Sequence, residues 1–145
     1  MKDFQAKMVQ GWKDFADGRI DAAALKGVTA GFGIYPQRND RAMMRIRRPA
    51  GIVTTEDLLQ VVSMMTRHGA DFAHIATRQT IQMHGVPPEN VPAALEDCEA
   101  YGMYFRGGGG DTFRNTLVCD FSGLHADTAF DVIPYARRMS ALFYS

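Results

Sequence analysis

Two strand-like stretches carry side chains that together could bind an anion. MMRIRR places Arg45 and Arg47 on one side of an extended chain, and TRQTIQMHG places Arg78, Gln82 and His84 on one side of another. Arginine stays charged and donates hydrogen bonds in a plane that matches carboxylates, phosphates and oxyanions, and a glutamine amide adds a neutral donor. A solvated sheet face whose arginines lie across apolar neighbours has the same pattern, so the residues alone leave both interpretations open.

A third stretch, GGGGDTFRN, brings Arg114 and Asn115 close to a run of glycines that begins at Gly107. It is not a Walker loop, because no Gly-Lys-Ser/Thr follows, and Thr112 stands where a dinucleotide-binding loop needs its last glycine. The run is either a flexible linker or a bare backbone that lets a flat or charged ligand approach Arg114 and Asn115. Spacing alone favours neither interpretation.

Neither the cysteines nor the histidines form a metal-binding motif. Cys98 and Cys119 are too few for an iron–sulfur cluster, which needs about four thiolates, and we expect both to be core thiols. No metal-ligand spacing connects the histidines, which are His68, His74, His84 and His125. The sequence therefore predicts no metal ion bound by protein ligands.

Composition and charge exclude several classes of partner. The 145 residues are 46% hydrophobic and 22% charged, which fits one compact domain or slightly more. Sixteen basic residues balance sixteen acidic ones, so no overall field favours nucleic acid or an anionic membrane. The sequence has no apolar signal segment, no stretch of about 18 apolar residues and no disulfide pattern, so we expect a cytoplasmic protein.

Hydrophobic periodicity and turn residues predict the elements that position these side chains. A strand over Met43–Arg48 is followed by a helix that Thr54 or Thr55 caps. Two short strands, DFAHIA and TIQMHG, precede a helix over about 90–101, and MYFRG is a candidate last strand. The predicted buried stripes of the two helices are Leu58, Val61, Val62 and Met65, and Val91, Ala94, Leu95 and Cys98.

This β-α-β-β-α-β order is typical of a ferredoxin-like α+β unit. We therefore divide the chain into residues 1–40, which hold an N-terminal helix and a glycine-rich linker, residues 41–106, which form the ferredoxin-like unit, and residues 107–145. The N-terminal helix looks like an addition to the main unit. The last part is expected to end in a helix from about Ala126 to Tyr144.

Three motifs resemble those of a known enzyme family. MMRIRRPAGIVTTEDL, ATRQTIQMHGV and GGGGDTFRNTLVC have the same order and similar separations as the N-terminal motifs of the siroheme-dependent nitrite and sulfite reductases. GIYPQR, which precedes them, is similar as well, and the resemblance covers about Gly33 to Cys119. It implies that residues 41–106 are the ferredoxin-like half domain of these enzymes. It also implies that residues 107–145 are the start of a truncated siroheme-binding domain.

The resemblance implies a role for each matched side chain. Arg45 and Arg114 match arginines that face the oxyanion on the siroheme iron, so they are the implied catalytic pair that holds sulfite or nitrite. Siroheme carries many carboxylates, which suit cationic hydrogen-bond donors. The implied siroheme contacts are Arg78, Gln82 and His84, with Arg47 and Asn115 as weaker candidates.

The sequence also departs from the family pattern. Pro49-Ala50-Gly51 replaces a frequent Pro-Gly-Gly, and His74 stands where the family can have an arginine. The lysine pair of the substrate site, the four cysteines of a 4Fe-4S cluster and the second half domain have no counterpart in these 145 residues. We therefore expect an N-terminal fragment, a split subunit or an excised piece that needs a partner segment.

Two functions stay open at this point. The first is the N-terminal part of a sulfite or nitrite reductase, which carries out a six-electron reduction to sulfide or ammonia with an electron donor protein or reductase subunit. This part is expected to be inactive alone. The second is a non-catalytic ferredoxin-like module that binds an anion or a tetrapyrrole, with a second copy in place of the missing half. In both cases exposed surface favours a homo-oligomer.

Overall fold

A computed structural model of the chain describes residues 2–107 and 112–144. The glycines at 108–110, and both interpretations of them, lie outside the described residues. The described helices are α1 (Lys2–Ala16), α2 (Ala22–Thr29), α3 (Thr55–His68), α4 (Val91–Ala100) and α5 (Ile133–Tyr144). The described strands are β1 (Ile34–Pro36), β2 (Ala42–Arg47), β3 (Phe72–Ala76) and β4 (Thr80–Val86). None of these helices is both long enough and apolar enough to cross a membrane.

The strands form one antiparallel sheet in the order β1-β2-β4-β3. Because β4 lies between β2 and β3, and α3 connects those two strands, β2-α3-β3 is a split βαβ unit. Arg45 of β2 lies opposite Gln82 of β4, and Gln82 also lies opposite His74 of β3. Polar residues from three strands therefore share one face of the sheet. The predicted α+β ferredoxin-like fold is confirmed.

The MYFRG stretch does not form a full strand. Tyr104 makes an isolated antiparallel bridge to Arg47, while Met103 and Phe105 on either side of it are buried in the core. The reason is the competing strand β1, which pairs with the same edge of β2 as far as Met44. Only the end of that edge is left for Tyr104, so the expected last strand is reduced to one residue pair.

Helix α3 buries a face that is rotated from the predicted one and shares Val61 with it. Thr54 and Asp57 form a reciprocal capping box, and the Asp57 carboxylate also accepts a hydrogen bond from Arg48 Nη2 at 2.7 Å. These contacts fix the rotation of the helix with Asp57 toward the protein. Leu58 and Val62 are consequently 46% and 58% exposed, so their predicted burial was wrong. The buried residues of α3 are Asp57, Val61, Met64 and His68.

One hydrophobic core joins the N-terminal helices to the sheet. Met8 and Trp12 of α1 and Leu25 of α2 lie in the same buried cluster as the strand residues Met44 and Ile46. Helix α1 is therefore part of the core, and the expectation of an addition to the main unit was wrong. The predicted stripe of α4 is buried at every position: Val91, Ala94, Leu95 and Cys98.

The C-terminal helix begins later than predicted. Residues 121–132 form turns and bends, and Gly123 among them has a φ of 80°. Helix α5 starts at Ile133, whose N–H donates to Asp131 Oδ1 at 2.9 Å, and Pro134 suits its first turn because no N–H is needed there. Cys119, which was expected in the core, is exposed because it precedes these surface turns.

Candidate functional site

Five of the seven predicted site residues line one cleft. The cleft, named here the arginine cleft, is lined by Arg45, Arg47, Arg78, Thr80, Gly107, Arg114 and Asn115. Strand β2, the turn between β3 and β4, and the segment after residue 107 each contribute to it. Its volume is about 10 Å³, which is about the room that one water needs. Three separate parts of the chain thus bring their arginines together.

Arg47 forms the buried base of the arginine cleft. Its Nη1 donates to the carbonyl oxygens of Arg106 and Phe113, and its Nη2 lies 3.4 Å from the carbonyl oxygen of Arg114. Burial, and secondly the charge of Arg114, lower the pKa of Arg47 to about 10. The guanidinium therefore stays protonated at neutral pH. It holds the backbone of Arg114 beside β2, which is a structural role that alternation along the strand did not reveal.

Gly107 makes room for the Arg47 guanidinium. It has a φ of 80°, and a Cβ at this position would lie 1.7 Å from Arg47 Nη1 and 2.6 Å from Phe113 O. Any side chain would therefore collide with the group that organises the cleft. The need for glycine at position 107, the first of the run, is therefore explained by steric fit alone and not by a ligand.

Asn115 holds the turn that carries Arg78. Its Nδ2 donates to the carbonyl oxygens of Arg78 and Gln79 at 2.9 and 3.3 Å. Gln79, with a φ of 52°, donates in turn from Nε2 to Val118 O at 2.9 Å and to Asp120 Oδ1 at 2.6 Å. The turn and the segment 115–120 are therefore bound to each other from both sides. Sequence reasoning missed Gln79, although it is the last residue of the T-R-Q motif.

Two buried oxygens in the arginine cleft have no hydrogen-bond partner within residues 2–107 and 112–144. They are Thr80 Oγ1 and Asn115 Oδ1, in side chains of residues that are 2% and 7% exposed. Buried polar atoms normally have a partner, so the chemistry of the cleft is incomplete in the described part of the chain. An additional polar group at this place would complete it.

Gln82 and His84, the other two predicted residues, lie on the same sheet face but do not line the cleft. His84 Nδ1 lies 3.0 Å from Gln37 Nε2, and His84 Nε2 lies 3.2 Å from Gln82 Oε1. Phe72 stacks on the His84 ring with 4.6 Å between the centroids. Burial, and secondly His74, lower the pKa of His84, which keeps the imidazole neutral at neutral pH. Gln37 was not a predicted site residue, although it belongs to the GIYPQR stretch.

The half domain is identified by comparison with known proteins. Residues 35–101 match the family model of the nitrite/sulfite reductase ferredoxin-like half domain. Residues 35–101 belong to this half-domain family. The matched residues contain the sheet and helices α3 and α4, apart from the first residue of β1, and thus the elements that carry Arg45, Arg47 and Arg78.

Similar proteins include enzymes named for both substrates. The chloroplastic ferredoxin–nitrite reductase of Zea mays is 33% identical over 113 residues, which cover 75% of this chain and 20% of that protein. The sulfite reductase [NADPH] hemoprotein beta-component of Bacillus pumilus is 26% identical over 68% of this chain and 17% of that protein. The chain therefore spans about a fifth of the length of the curated relatives that it matches.

A solved structure shows the same fold. The Mycobacterium tuberculosis NirA protein superposes with a TM-score of 0.72 and 23% sequence identity, over 84% of this chain and 26% of that one. This coverage exceeds the half domain alone. The fold of the NirA protein therefore also includes a part of this chain outside residues 35–101.

The described residues contain no group of three or more His, Cys, Asp and Glu side chains that could hold a metal ion. Cys98 lies in the core, where burial raises the pKa of its thiol far above the usual range. Cys119 is exposed after the Asn115 segment. What the described site offers chemically is a set of cationic and neutral hydrogen-bond donors, which is the chemistry of anion binding.

Proposed function

We propose that this chain is the N-terminal part of a siroheme-dependent sulfite or nitrite reductase and that it supplies anion-binding side chains to the active site. The observation that carries the proposal is the convergence of Arg45, Arg78 and Arg114 on the buried Arg47. The names of the similar proteins, which are nitrite and sulfite reductases, support this substrate class.

The residues of this face fit siroheme as a ligand. Its many carboxylates suit the donors Arg78, Gln82 and His84, and the buried Thr80 hydroxyl, which lacks a partner in the described residues, can donate to one of them. The arginine cleft holds about 10 Å³, so it fits one oxygen of an anion and not a macrocycle. The proposed cofactor-binding residues are Arg47, Arg78, Gln82, His84 and Asn115.

The contribution of this chain to the reaction is electrostatic. When bound, siroheme and a 4Fe-4S cluster would supply the electrons for a six-electron reduction of nitrite to ammonia or of sulfite to sulfide. Arg45 and Arg114 bind the substrate anion and stabilise the negative charge that develops on its departing oxygens. Arg47 keeps Arg114 in position because its guanidinium donates to the backbone carbonyl oxygen of Arg114.

The proposed enzyme also needs partners for which this chain has exposed surface. A groove of about 850 Å³ lies between the sheet and the segment after residue 115, and Ile75 and Leu117, which line it, are 74% and 45% exposed. We propose that a second half domain, or a second copy of this chain, covers such surface, and that a donor protein or reductase subunit delivers electrons in the cytoplasm.

Two substitutions in the complete reductase test the proposed role of the arginines. Arg45→Ala and Arg114→Ala should each lower nitrite or sulfite reduction by orders of magnitude and leave the fold intact, because neither side chain lies in the core. A charge-assisted hydrogen bond is worth about 1.5–3 kcal/mol, or about ten- to a hundredfold in binding, and charge in the transition state adds to this. The measurement is anion-dependent oxidation of reduced methyl viologen.

The matched control is Arg138→Ala, which removes an exposed arginine from α5. It should retain the turnover of the unchanged enzyme. Unchanged turnover in Arg45→Ala or Arg114→Ala would contradict the proposed function.

Expression of the 145-residue chain together with siroheme synthesis separates the two functions. A visible absorption spectrum of bound tetrapyrrole without methyl viologen oxidation supports the reductase fragment. A colourless protein that binds sulfite or nitrite supports the non-catalytic module instead. Turnover with stoichiometric iron would contradict the expectation that the chain is inactive alone.

A further inference from the structure

A chain of polar contacts crosses the sheet from the backbone of Gly85 to Arg45. Gly85 N donates to Gln37 Oε1 at 2.9 Å, and Gln37 Nε2 lies 3.0 Å from His84 Nδ1. His84 Nε2 lies 3.2 Å from one amide atom of Gln82. The other amide atom of Gln82 lies 3.0 Å from Arg45 Nη2 and 3.2 Å from Arg45 Nε. These polar contacts thus connect Gln37, which is outside the arginine cleft, with Arg45, which lines it.

The backbone N–H of Gly85 sets the direction of these hydrogen bonds. Because this N–H requires the oxygen of the Gln37 amide, the amide nitrogen, which is only a donor, faces His84. Nδ1 of His84 must therefore accept. A neutral imidazole has one donor and one acceptor nitrogen, so the proton of His84 lies on Nε2.

Gln82 can then satisfy only one of its two neighbours. With its oxygen toward His84 it accepts the Nε2–H, and its nitrogen faces Arg45, where both groups are donors. With the amide turned over, its oxygen accepts from Arg45, but its nitrogen faces the Nε2–H of His84. An anionic oxygen that accepts from both Gln82 and Arg45 relieves the first arrangement. The second arrangement, with the amide turned over, is relieved only if the His84 proton moves from Nε2 to Nδ1. The Gln37 N–H donor opposes this move, because it faces Nδ1.

We propose that Gln37 is a positioning residue that, through the tautomer of His84, turns the Gln82 N–H toward Arg45 and so creates a two-donor site for one anionic oxygen. Gln37 itself does not contact the anion. The identity of the anion, a free oxyanion or a carboxylate of the tetrapyrrole, rests on the proposed function. The direction of the hydrogen bonds does not.

The tautomer of His84 is measured in the ¹⁵N-labelled chain by two-bond ¹H–¹⁵N correlation spectra, with a His84→Asn variant for assignment. The expected form is Nε2–H. Gln37→Met keeps the length and charge of the side chain but removes the donor, so the Nδ1–H form should appear in this variant. Gln10→Met, which alters an exposed glutamine of α1, is the matched control and should leave the spectrum unchanged. An Nδ1–H form in the unchanged chain, or no change in Gln37→Met, overturns the proposal.

Titration with sodium sulfite and with sodium acetate tests the two-donor site. Gln37→Met should weaken binding of the preferred anion by about tenfold, which corresponds to the loss of one aligned hydrogen bond to a charged group. Gln82→Met should weaken it similarly but keep the Nε2–H tautomer. Preference for sulfite assigns a free oxyanion to the site, and preference for acetate assigns a cofactor carboxylate.

Equal affinity for the anion in the unchanged chain and in Gln37→Met overturns the positioning role of Gln37. This result is independent of the reductase proposal, which requires that Arg114→Ala abolish turnover in the complete reductase. If the reductase proposal fails, turnover of the complete reductase does not depend on Arg114, while the His84 tautomer in the unchanged chain is still Nε2–H. If Gln37→Met does not fold, Gln37→Glu replaces it. Its carboxylate accepts from Nδ1–H and should reverse the tautomer completely, and an unreversed tautomer overturns the proposal.

Discussion

The half domain and the segment after residue 107 are held in place by different forces. On α4 of the half domain, Leu95 is 2% exposed and lies in the core, whereas on α5 Leu142 is 70% exposed. No described residue of the segment belongs to that core, and polar contacts attach the segment to the half domain, such as the bonds that Asn115 donates to the carbonyl oxygens of Arg78 and Gln79 and the bond that Arg47 donates to Phe113 O. The candidate site therefore combines a rigid apolar scaffold with a segment whose position depends on hydrogen-bond geometry.

The largest effect on stability should come from the core of the half domain. Leu95→Ala removes a buried side chain and should lower the free energy of unfolding by about 2–5 kcal/mol. Leu142→Ala is the matched substitution on α5 and should change it by no more than about 0.5 kcal/mol, because the side chain is mostly exposed. Urea unfolding followed by circular dichroism measures both. Equal losses would mean that α5 has a core of its own and would remove the contrast between the two regions.

An intermediate effect should follow from closing the space beside Arg47. Gly107→Ala forces a left-handed conformation on a residue with a side chain, which costs about 1–3 kcal/mol, and places a methyl group against the guanidinium. We expect faster amide hydrogen exchange after residue 112, with the protection of α4 unchanged. Gly27→Ala is the control, because nothing lies within 4 Å of its Cβ position in α2. Equal acceleration of exchange in both regions would show that the segment and the half domain open together.

Local sequence signals predicted most of the fold because they act within a few residues. Alternation in β2 placed Met44 and Ile46 in the core, and the apolar spacing of α4 placed Leu95 there. The stripe of α3 was misassigned because its rotation depends on the pairing of Asp57 with Arg48, which lies before the helix. Apolar spacing alone does not contain that information.

The site was predicted less completely than the fold, for a related reason. The sequence motifs contained all five predicted residues that the structure brings together in the arginine cleft, but not what holds them there. Arg47 was expected to face a ligand, yet its hydrogen bonds go to carbonyl oxygens 59 to 67 residues away in sequence. Gln37 and Gln79 act on His84 and on the segment near Asp120 over 47 and 41 residues. Contacts of this range depend on the tertiary fold, so strand and helix periodicity gave no sign of them.

The smallest effect on stability should come from the polar contacts inside the half domain. It tests whether these contacts matter less there than polar contacts do for the segment after residue 107. The Asp97 carboxylate accepts from His68 Nε2 at 2.7 Å and pairs with Arg67, which connects α4 to α3. The hydrogen bond from His68, and secondly the contact with Arg67, hold the pKa of Asp97 below its ordinary value. A depressed carboxyl pKa stabilises the fold above the unfolded-state value of about 3.9, and this stabilisation is lost as the pH falls through the folded-state value.

Asp97→Asn should therefore lower the free energy of unfolding at neutral pH by at most about 1 kcal/mol, because partly exposed ion pairs contribute little. The difference from the unchanged chain should shrink below about pH 3.9, where the carboxyl group becomes protonated in both states. Urea unfolding at pH 7 and at several acid pH values measures it, with Asp127→Asn in the exposed turns as the control. A loss as large as that of Leu95→Ala would show that the half domain, like the segment, depends on polar contacts. A difference that grows toward acid pH would mean that folding raises the pKa of Asp97 and that its contacts with His68 and Arg67 do not stabilise the carboxylate.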